Sequence, residues 1–176
     1  MDDRTQPSLP YLAAYGPEVE GQVGQMVAEG RLGPYLERHY PEQHSVRTDQ
    51  ALLVRAMDLK HRFLRSSPTL HAVRYSPGLQ VVRDALGMHT RTSLAHGGRL
   101  RTRREILIDP VFRDAPEPFL HMILVHELAH LREAEHTKAF YQLCAHMAPD
   151  YDQLEFDLRL YLTHLDLTKT DPASSV

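Results

Sequence analysis

The chain has 176 residues, of which 42% are hydrophobic and 24% charged, and its formal net charge is −3 with neutral histidines. This length predicts one compact domain whose core is large enough to fold without disulfides or a structural metal. The small negative charge excludes an overall positive field of the kind that recruits nucleic acid or anionic membranes, so neither partner is expected.

Cysteine content and the N-terminus favour a reducing compartment. The lone Cys144 excludes an internal disulfide, and the first residues lack the basic and then apolar build of a secretory signal. The longest apolar stretch, residues 119–131, is interrupted by three histidines and one glutamate, and it is too short to cross a bilayer. We therefore expect a cytoplasmic protein without a membrane span.

The N-terminal part of the chain is predicted to be helical after a flexible arm. Residues 1–17 contain three prolines and little periodicity, so they are expected to form that arm. Within residues 18–67 apolar side chains recur at helical spacing, with a helix end at Gly30. Thr48 and Asp49 are good N-cap residues for the next helix. Everything after the arm is expected to form a single domain that extends to residue 176.

A small sheet is predicted between residues 70 and 109. Short strand-like runs occur there, separated by turn-forming sequences. Gly97 and Gly98 fit a hairpin turn, because glycine adopts the positive φ that such a turn needs. The expected strands are 70–75, 79–82, 89–95 and 99–108. Since a turn this short joins antiparallel neighbours, the sheet is expected to be mostly antiparallel.

Helices are predicted again between residues 117 and 166. Residues 119–131 are apolar on nearly every face, which is typical of a buried helix. Apolar residues recur at helical spacing in 137–147 and in 150–165. The elements together predict an α+β fold with N-terminal helices, a small, mostly antiparallel sheet packed on the buried helix, and C-terminal helices.

The buried helix contains an H-E-x-x-H pattern, His126-Glu127-Leu128-Ala129-His130. On a helix this spacing places two imidazoles one turn apart on one face, where both nitrogens can reach one zinc ion. The ion lowers the pKa of a water, and Glu127 accepts the proton of that water as general base. Burial of three ionisable side chains on an apolar helix is costly unless a metal or hydrogen bonds satisfy them. The motif therefore predicts a zinc site with His126 and His130 as ligands.

Two residues compete to be the third protein ligand. His136 lies six residues after His130, as in the extended H-E-x-x-H-x-x-G-x-x-H arrangement. The helix has to end before His136, because an unbroken helix would place it on the opposite side. Glu133 stands where the extended pattern has glycine, and it would lie on the ligand face if the helix continued. We favour His136 as the third ligand. Glu133 is the rival ligand, or else it forms a hydrogen bond to a ligand without binding the metal itself.

Other polar side chains could contact a substrate. Arg99, Arg101 and Arg103 share one face of the last predicted strand, where they could bind an anionic group. A charged strand face is, however, more often simply solvated. Tyr141 and Tyr151 could stabilise an oxyanion near the metal, or they could pack in the core.

The segment around the motif resembles the YgjP-like metallopeptidases. Apart from the motif, the similarity includes Leu131, Glu133, Glu135-His136, residues 138–144, Ala85-Leu86-Gly87, Gly97-Gly98 and residues 153–157. The resemblance implies a small zincin fold, kinship with SprT-like proteases, and zinc bound by three histidines, with Glu127 as the base. The ligands it implies are His126, His130 and His136. The family's usual lysines in the glycine hairpin are arginines here, which keeps the charge but changes the hydrogen-bond geometry.

Three functions are consistent with these patterns. The leading hypothesis is a zinc metallopeptidase that cleaves a peptide or an unfolded protein. The first alternative is a metal-dependent nucleoside triphosphate pyrophosphatase or phosphohydrolase, in which the arginine row binds phosphates. The lack of a Gly-rich phosphate loop and of a carboxylate-rich magnesium site counts against this alternative. The second is a non-enzymatic zinc-binding module, which would not need Glu127 beside the metal.

Overall fold

The computed structural model describes residues 9–76 and 105–170. The chain divides into two compact units, one formed by Met1–Pro41 with Glu155–Val176 and the other by Glu42–Leu154. Within the described ranges, no helix combines the length and the apolar character that crossing a membrane requires.

The first unit is helical. It contains a 3-10 helix at Pro10–Tyr15, α1 at Pro17–Ala28, α2 at Leu32–His39 and the greater part of α6, Tyr151–Thr170. The end of α1 lies where the sequence predicts it. Gly30 has a φ of 65°, and the amide of Arg31 donates to the carbonyl of Met26 over 2.8 Å. A glycine in this left-handed conformation closes a helix without steric cost.

Residues 9–15 fall in the segment that was expected to form a flexible arm. Their 3-10 helix packs on α1 and buries Leu12 completely. The buried guanidinium of Arg159 donates to the carbonyl of Tyr11 over 3.0 Å. This part of the predicted arm is therefore held by packing and by a hydrogen bond. The division of the chain into an arm and one domain, 18–176, stays a prediction.

The second unit combines helices with a small sheet. Its elements are α3 at Asp49–Phe63, β1 at Ala72–Tyr75, β2 at Glu105–Ile108, a 3-10 helix at Pro110–Arg113, α4 at Glu117–Ala129, α5 at Lys138–Met147 and the first residues of α6. α3 packs on β1 and on α4, and α4 packs on α5. Because α4 is apolar on nearly every face, nine of its residues are buried, and it forms the centre of this unit.

The prediction of a mostly antiparallel sheet is wrong. β1 and β2 are parallel, with Ala72 opposite Glu105, and they are the two strands of the sheet that the structure describes. The prediction assumed hairpin turns between sequence neighbours, whereas residues 76–104 separate these strands. A connection of that length can make the crossover that parallel strands need. Three predicted features lie outside the described residues, namely strands 79–82 and 89–95 and the Gly97-Gly98 turn.

Thr48 caps the start of α3, as the sequence predicts. Its side-chain oxygen accepts a hydrogen bond from the amide of Ala51 over 3.2 Å. We expect Thr48→Ala to lower the free energy of unfolding by about 1 kcal/mol, because this amide loses its acceptor. Urea unfolding measures the change, with Thr48→Ser, which keeps the hydroxyl, as the matched control. Equal stability of Thr48→Ala and the wild type would show that the cap contributes nothing.

Candidate metal centre

α4 places two histidines on one face, one turn apart. His126 lies inside the helix, and His130 is its C-cap residue, with φ −63° and ψ −13°. Because His130 keeps helical dihedral angles, its side chain stays aligned with that of His126. The Nε2 atoms of the two imidazoles are 3.3 Å apart.

The chain turns after His130 and brings a third imidazole to the same point. The amide of Arg132 donates to the carbonyl of Ala129 over 3.0 Å, an i to i+3 bond that tightens the end of α4. The Nε2 atom of His136 then lies 3.1 Å from that of His126. Within the described ranges, one group of side chains could hold a metal ion, and its ligand atoms lie within 4.8 Å of one another. We call this group the histidine triad: His126, His130 and His136.

The turn forms without the glycine of the extended pattern. Glu133 stands at that position, and positive φ angles occur among the described residues only at Gly16 and Gly30. The main-chain carbonyl of Glu133 accepts a hydrogen bond from Nδ1 of His130 over 3.0 Å. Glu133 therefore contributes its main chain to the site, while its carboxylate is not among the potential ligands found in the described chain.

The spacing of the triad fits a tetrahedral zinc ion. Two nitrogens bound to one such ion at about 2.05 Å are roughly 3.3 Å apart. The separations from Nε2 of His126 to Nε2 of His130 and to Nε2 of His136 are 3.3 and 3.1 Å. Three neutral imidazoles cannot satisfy one another at these distances, because each ring carries a single N–H. A cation at the centre would satisfy all three lone pairs at once.

The proton of His130 can be placed from its surroundings. A carbonyl oxygen only accepts hydrogen bonds, so the contact with the carbonyl of Glu133 requires the hydrogen to be on Nδ1 of His130. In the neutral ring, Nε2 then carries a lone pair directed toward the triad. Main-chain and side-chain acceptors of this kind commonly orient metal-binding histidines.

His126 also has a hydrogen-bond partner at Nδ1, which in this case is a side chain. Its Nδ1 atom lies 2.6 Å from the hydroxyl oxygen of Tyr151 at the start of α6. Both side chains are buried, with 1% of His126 and 0% of Tyr151 exposed. The sequence left an oxyanion role and a core role open for Tyr151. The side chain is buried in the core, and its hydroxyl lies beside Nδ1 of a histidine of the triad.

An aromatic ring separates the triad from the interior of the unit. The ring of Phe140, which is fully buried, has its centroid 4.9, 4.6 and 4.8 Å from those of His126, His130 and His136, respectively. His126 is buried, His130 is partly exposed and His136 is exposed. The triad is therefore closed on the Phe140 side and reaches solvent at His136.

The environment keeps the imidazoles of His126 and His130 unprotonated. Burial, with smaller contributions from His130 and His136, lowers the pKa of His126 to about 2. Burial also lowers the pKa of His130, against the opposing effect of its bond to the carbonyl of Glu133. Neutral rings have free nitrogen lone pairs near pH 7, which is the form that binds metal ions.

The lowered pKa of His126 predicts how the metal-free protein responds to acid. Below about pH 6.5 the unfolded chain protonates this histidine and the folded chain does not, so folded stability is lost as the pH falls. We expect the urea midpoint, measured with a chelator present, to fall between pH 7.5 and pH 5.5. The control is His126→Ala, whose midpoint should change less over the same range. An identical change in both proteins would contradict the prediction.

The remaining predicted site residues are placed as follows. Glu127 lies between His126 and His130 in the sequence and is partly exposed. Tyr141 is 39% exposed, and its ring centroid is 6.2 Å from that of His136. The arginine row lies outside the described residues: Arg99, Arg101 and Arg103. The contact between Tyr151 and His126 was not predicted, because no local spacing links residues on different helices.

Two comparisons with known proteins find similarity to this chain. The family model of the YgjP-like, metallopeptidase domain matches residues 78–161, which include the triad and Glu127. A UTP pyrophosphatase of Escherichia coli (strain K12) is 51% identical over 160 residues, covering 91% of this chain and 96% of that protein. No solved structure shows a significant match.

Proposed function

The chain belongs to the YgjP-like family, and we propose that it is a zinc-dependent nucleoside triphosphate pyrophosphatase whose metal is bound by the histidine triad. Family membership and the similarity to a pyrophosphatase support hydrolase activity. The observation on which the proposal depends most is the convergence of three imidazole nitrogens within 4.8 Å, two of them from the H-E-x-x-H segment that also contains Glu127.

The donor set favours zinc over magnesium or calcium. Three neutral imidazole nitrogens suit a borderline-soft ion, whereas magnesium and calcium prefer carboxylate and carbonyl oxygens. Zinc in a site with three protein ligands acts as a Lewis acid and lowers the pKa of a water toward neutrality. The exposure of His136 leaves a side from which water and substrate can approach.

Glu127 is proposed to be the general base. Its carboxylate takes the proton of the attacking water, and the water oxygen forms a bond to the α-phosphorus of the triphosphate. The bond from that phosphorus to the bridging oxygen of the β-phosphate breaks at the same centre. Pyrophosphate leaves with the bonding electron pair, and the nucleoside monophosphate keeps the new oxygen. Deprotonation of Glu127 to solvent completes the cycle.

The proposed substrate class follows from similarity over nearly the full length of both chains. The alignment with the pyrophosphatase has 51% identity and covers 96% of that protein and 91% of this chain. It therefore includes the segment that contains the arginine row. Arginine binds phosphate oxygens through paired hydrogen bonds, so Arg99, Arg101 and Arg103 are the proposed contacts of the triphosphate.

A metallopeptidase is the second candidate. The H-E-x-x-H helix is typical of zincin proteases, and the matching family model describes a metallopeptidase domain. In that case the same water would attack a peptide carbonyl, and the substrate would be a peptide or an unfolded protein. The metal site and Glu127 would keep the same roles.

A single panel of substrates separates the two candidates. The zinc-loaded protein is incubated with UTP, CTP and ATP, and in parallel with denatured casein, while pyrophosphate and peptide release are measured. We expect pyrophosphate release from at least one nucleotide and intact casein. Casein cleavage without pyrophosphate release would replace the proposed function with the peptidase.

A further inference from the structure

The hydroxyl of Tyr151 lies where it can control which nitrogen of His126 is free. The oxygen is 2.6 Å from Nδ1, while Nε2 of the same ring points to the other two histidines. That separation is a hydrogen-bond distance, so Nδ1 and the hydroxyl share one hydrogen between them. The contact joins the start of α6 to the last turn of α4.

We propose that Tyr151 is a positioning residue for the metal: its oxygen accepts a hydrogen bond from Nδ1–H of His126 and holds the Nε2 lone pair toward the triad. A neutral imidazole carries one hydrogen, so this bond and a metal bound at Nε2 require the same tautomer. The inference rests on the metal site of the proposed function, but it does not depend on the substrate.

His126 and His130 are oriented by different kinds of partner. His130 donates to the carbonyl of Glu133, which is a fixed acceptor. The partner of His126 is a hydroxyl, which can also donate, and a proton donated to Nδ1 would place the hydrogen of the ring on Nε2. A substitution of Tyr151 can therefore change the tautomer of His126, whereas the partner of His130 is a main-chain group that no side-chain substitution removes.

The surroundings hold this hydroxyl in place. Tyr151 is fully buried, and its amide donates to the carbonyl of Ala148 over 3.0 Å, which fixes the start of α6 after the end of α5. The ring of Phe140 packs on His126 from another direction, with centroids 4.9 Å apart and planes at 70°. The imidazole of His126 therefore has little room to rotate, and its hydrogen bond sets the orientation of both nitrogens.

Tyr151→Phe removes the oxygen and keeps the ring. We expect the zinc dissociation constant, measured by competition with a chromophoric chelator at pH 7.5, to rise about 10- to 100-fold. Tyr75→Phe is the matched control, because Tyr75 is also buried in this unit and its hydroxyl donates to the carbonyl of Val46 over 2.6 Å. Tyr75→Phe should bind zinc as tightly as the wild type.

Three outcomes would overturn the inference. Equal zinc affinity of Tyr151→Phe and the wild type would show that the hydroxyl does not position the metal. An equal loss in Tyr151→Phe and Tyr75→Phe would indicate a general effect of losing a buried hydrogen bond. Failure of the wild type itself to bind zinc would refute the metal site of the proposed function together with this inference.

A measurement on the wild type does not depend on whether the variant folds. In the zinc-loaded protein, nitrogen NMR of the imidazoles should show His126 with its hydrogen on Nδ1 and zinc on Nε2. Zinc on Nδ1, or a hydrogen on Nε2, would overturn the inference. Activity is not needed for this test, so a protein that binds zinc but leaves nucleotides intact would refute only the proposed substrate.

Discussion

Glu127→Gln is expected to slow hydrolysis about a hundredfold to ten-thousandfold while the metal stays bound. Glutamine has nearly the shape of glutamate, but it cannot accept the proton of the attacking water. The side chain is not part of the histidine triad, so the number of metal ions per chain should not change. Initial rates of pyrophosphate release and elemental analysis of the same samples measure the two effects separately.

Glu135→Gln is the matched control for this experiment. Glu135 is an exposed glutamate in the turn just before His136, and it has no proposed role in the reaction. Its substitution makes the same change of charge close to the site, so it should leave the rate within about twofold, as expected for a surface substitution. A Glu127→Gln protein as active as Glu135→Gln would rule out Glu127 as the base.

His126→Ala is expected to abolish metal binding and, with it, activity. His126 is the member of the triad whose Nε2 lies 3.3 and 3.1 Å from the Nε2 atoms of the other two, so its loss removes the common neighbour. Two remaining imidazoles are fewer protein ligands than zinc sites use. Elemental analysis should give about one zinc per wild-type chain and close to none in the variant.

Thermal unfolding gives an independent measure of the same effect. A ligand that binds only the folded state raises the unfolding temperature, so added zinc should stabilise the wild type and leave His126→Ala unchanged. His146→Ala is the control, because His146 is an exposed histidine that contacts Phe63 rather than the triad. Zinc retained by His126→Ala would mean that the metal is bound elsewhere.

Local sequence patterns predicted the helices well. The N-cap bond of Thr48, the left-handed Gly30 and the apolar faces of α4 depend on residues within one or two turns of each other. Such features follow from spacing alone, since a helix brings residues three and four apart together. The H-E-x-x-H pattern belongs to this class, which is why the positions of His126 and His130 could be predicted.

The relative direction of the strands in the sheet could not be predicted in this way. Period-2 patterns identify a strand but do not say which strand lies beside it, and turn-rich sequences favoured hairpins. β1 and β2 pair across residues 76–104, so their parallel arrangement depends on a long connection rather than on a local turn. The predicted strand 99–108 was correct in its last residues, which form β2 at Glu105–Ile108.

The residues that contact the triad from other helices also could not be predicted from sequence spacing. Phe140 lies within the predicted helix 137–147, but its contact with all three imidazoles depends on how α5 packs on α4. Tyr151 lies on yet another helix. The hydroxyl of a buried tyrosine usually needs a hydrogen-bond partner. This requirement is the one sequence signal that could have suggested a contact between a buried tyrosine and a histidine of the motif.

The dependence of UTP cleavage on zinc content tests the central claim most directly. The purified chain is stripped of metal and titrated with zinc, and the rate of pyrophosphate release from UTP is measured at each ratio. We predict no release without metal and a rate that rises until about one zinc is bound per chain. Full activity of the metal-free chain, or no cleavage of UTP at any zinc ratio, would contradict the proposed function.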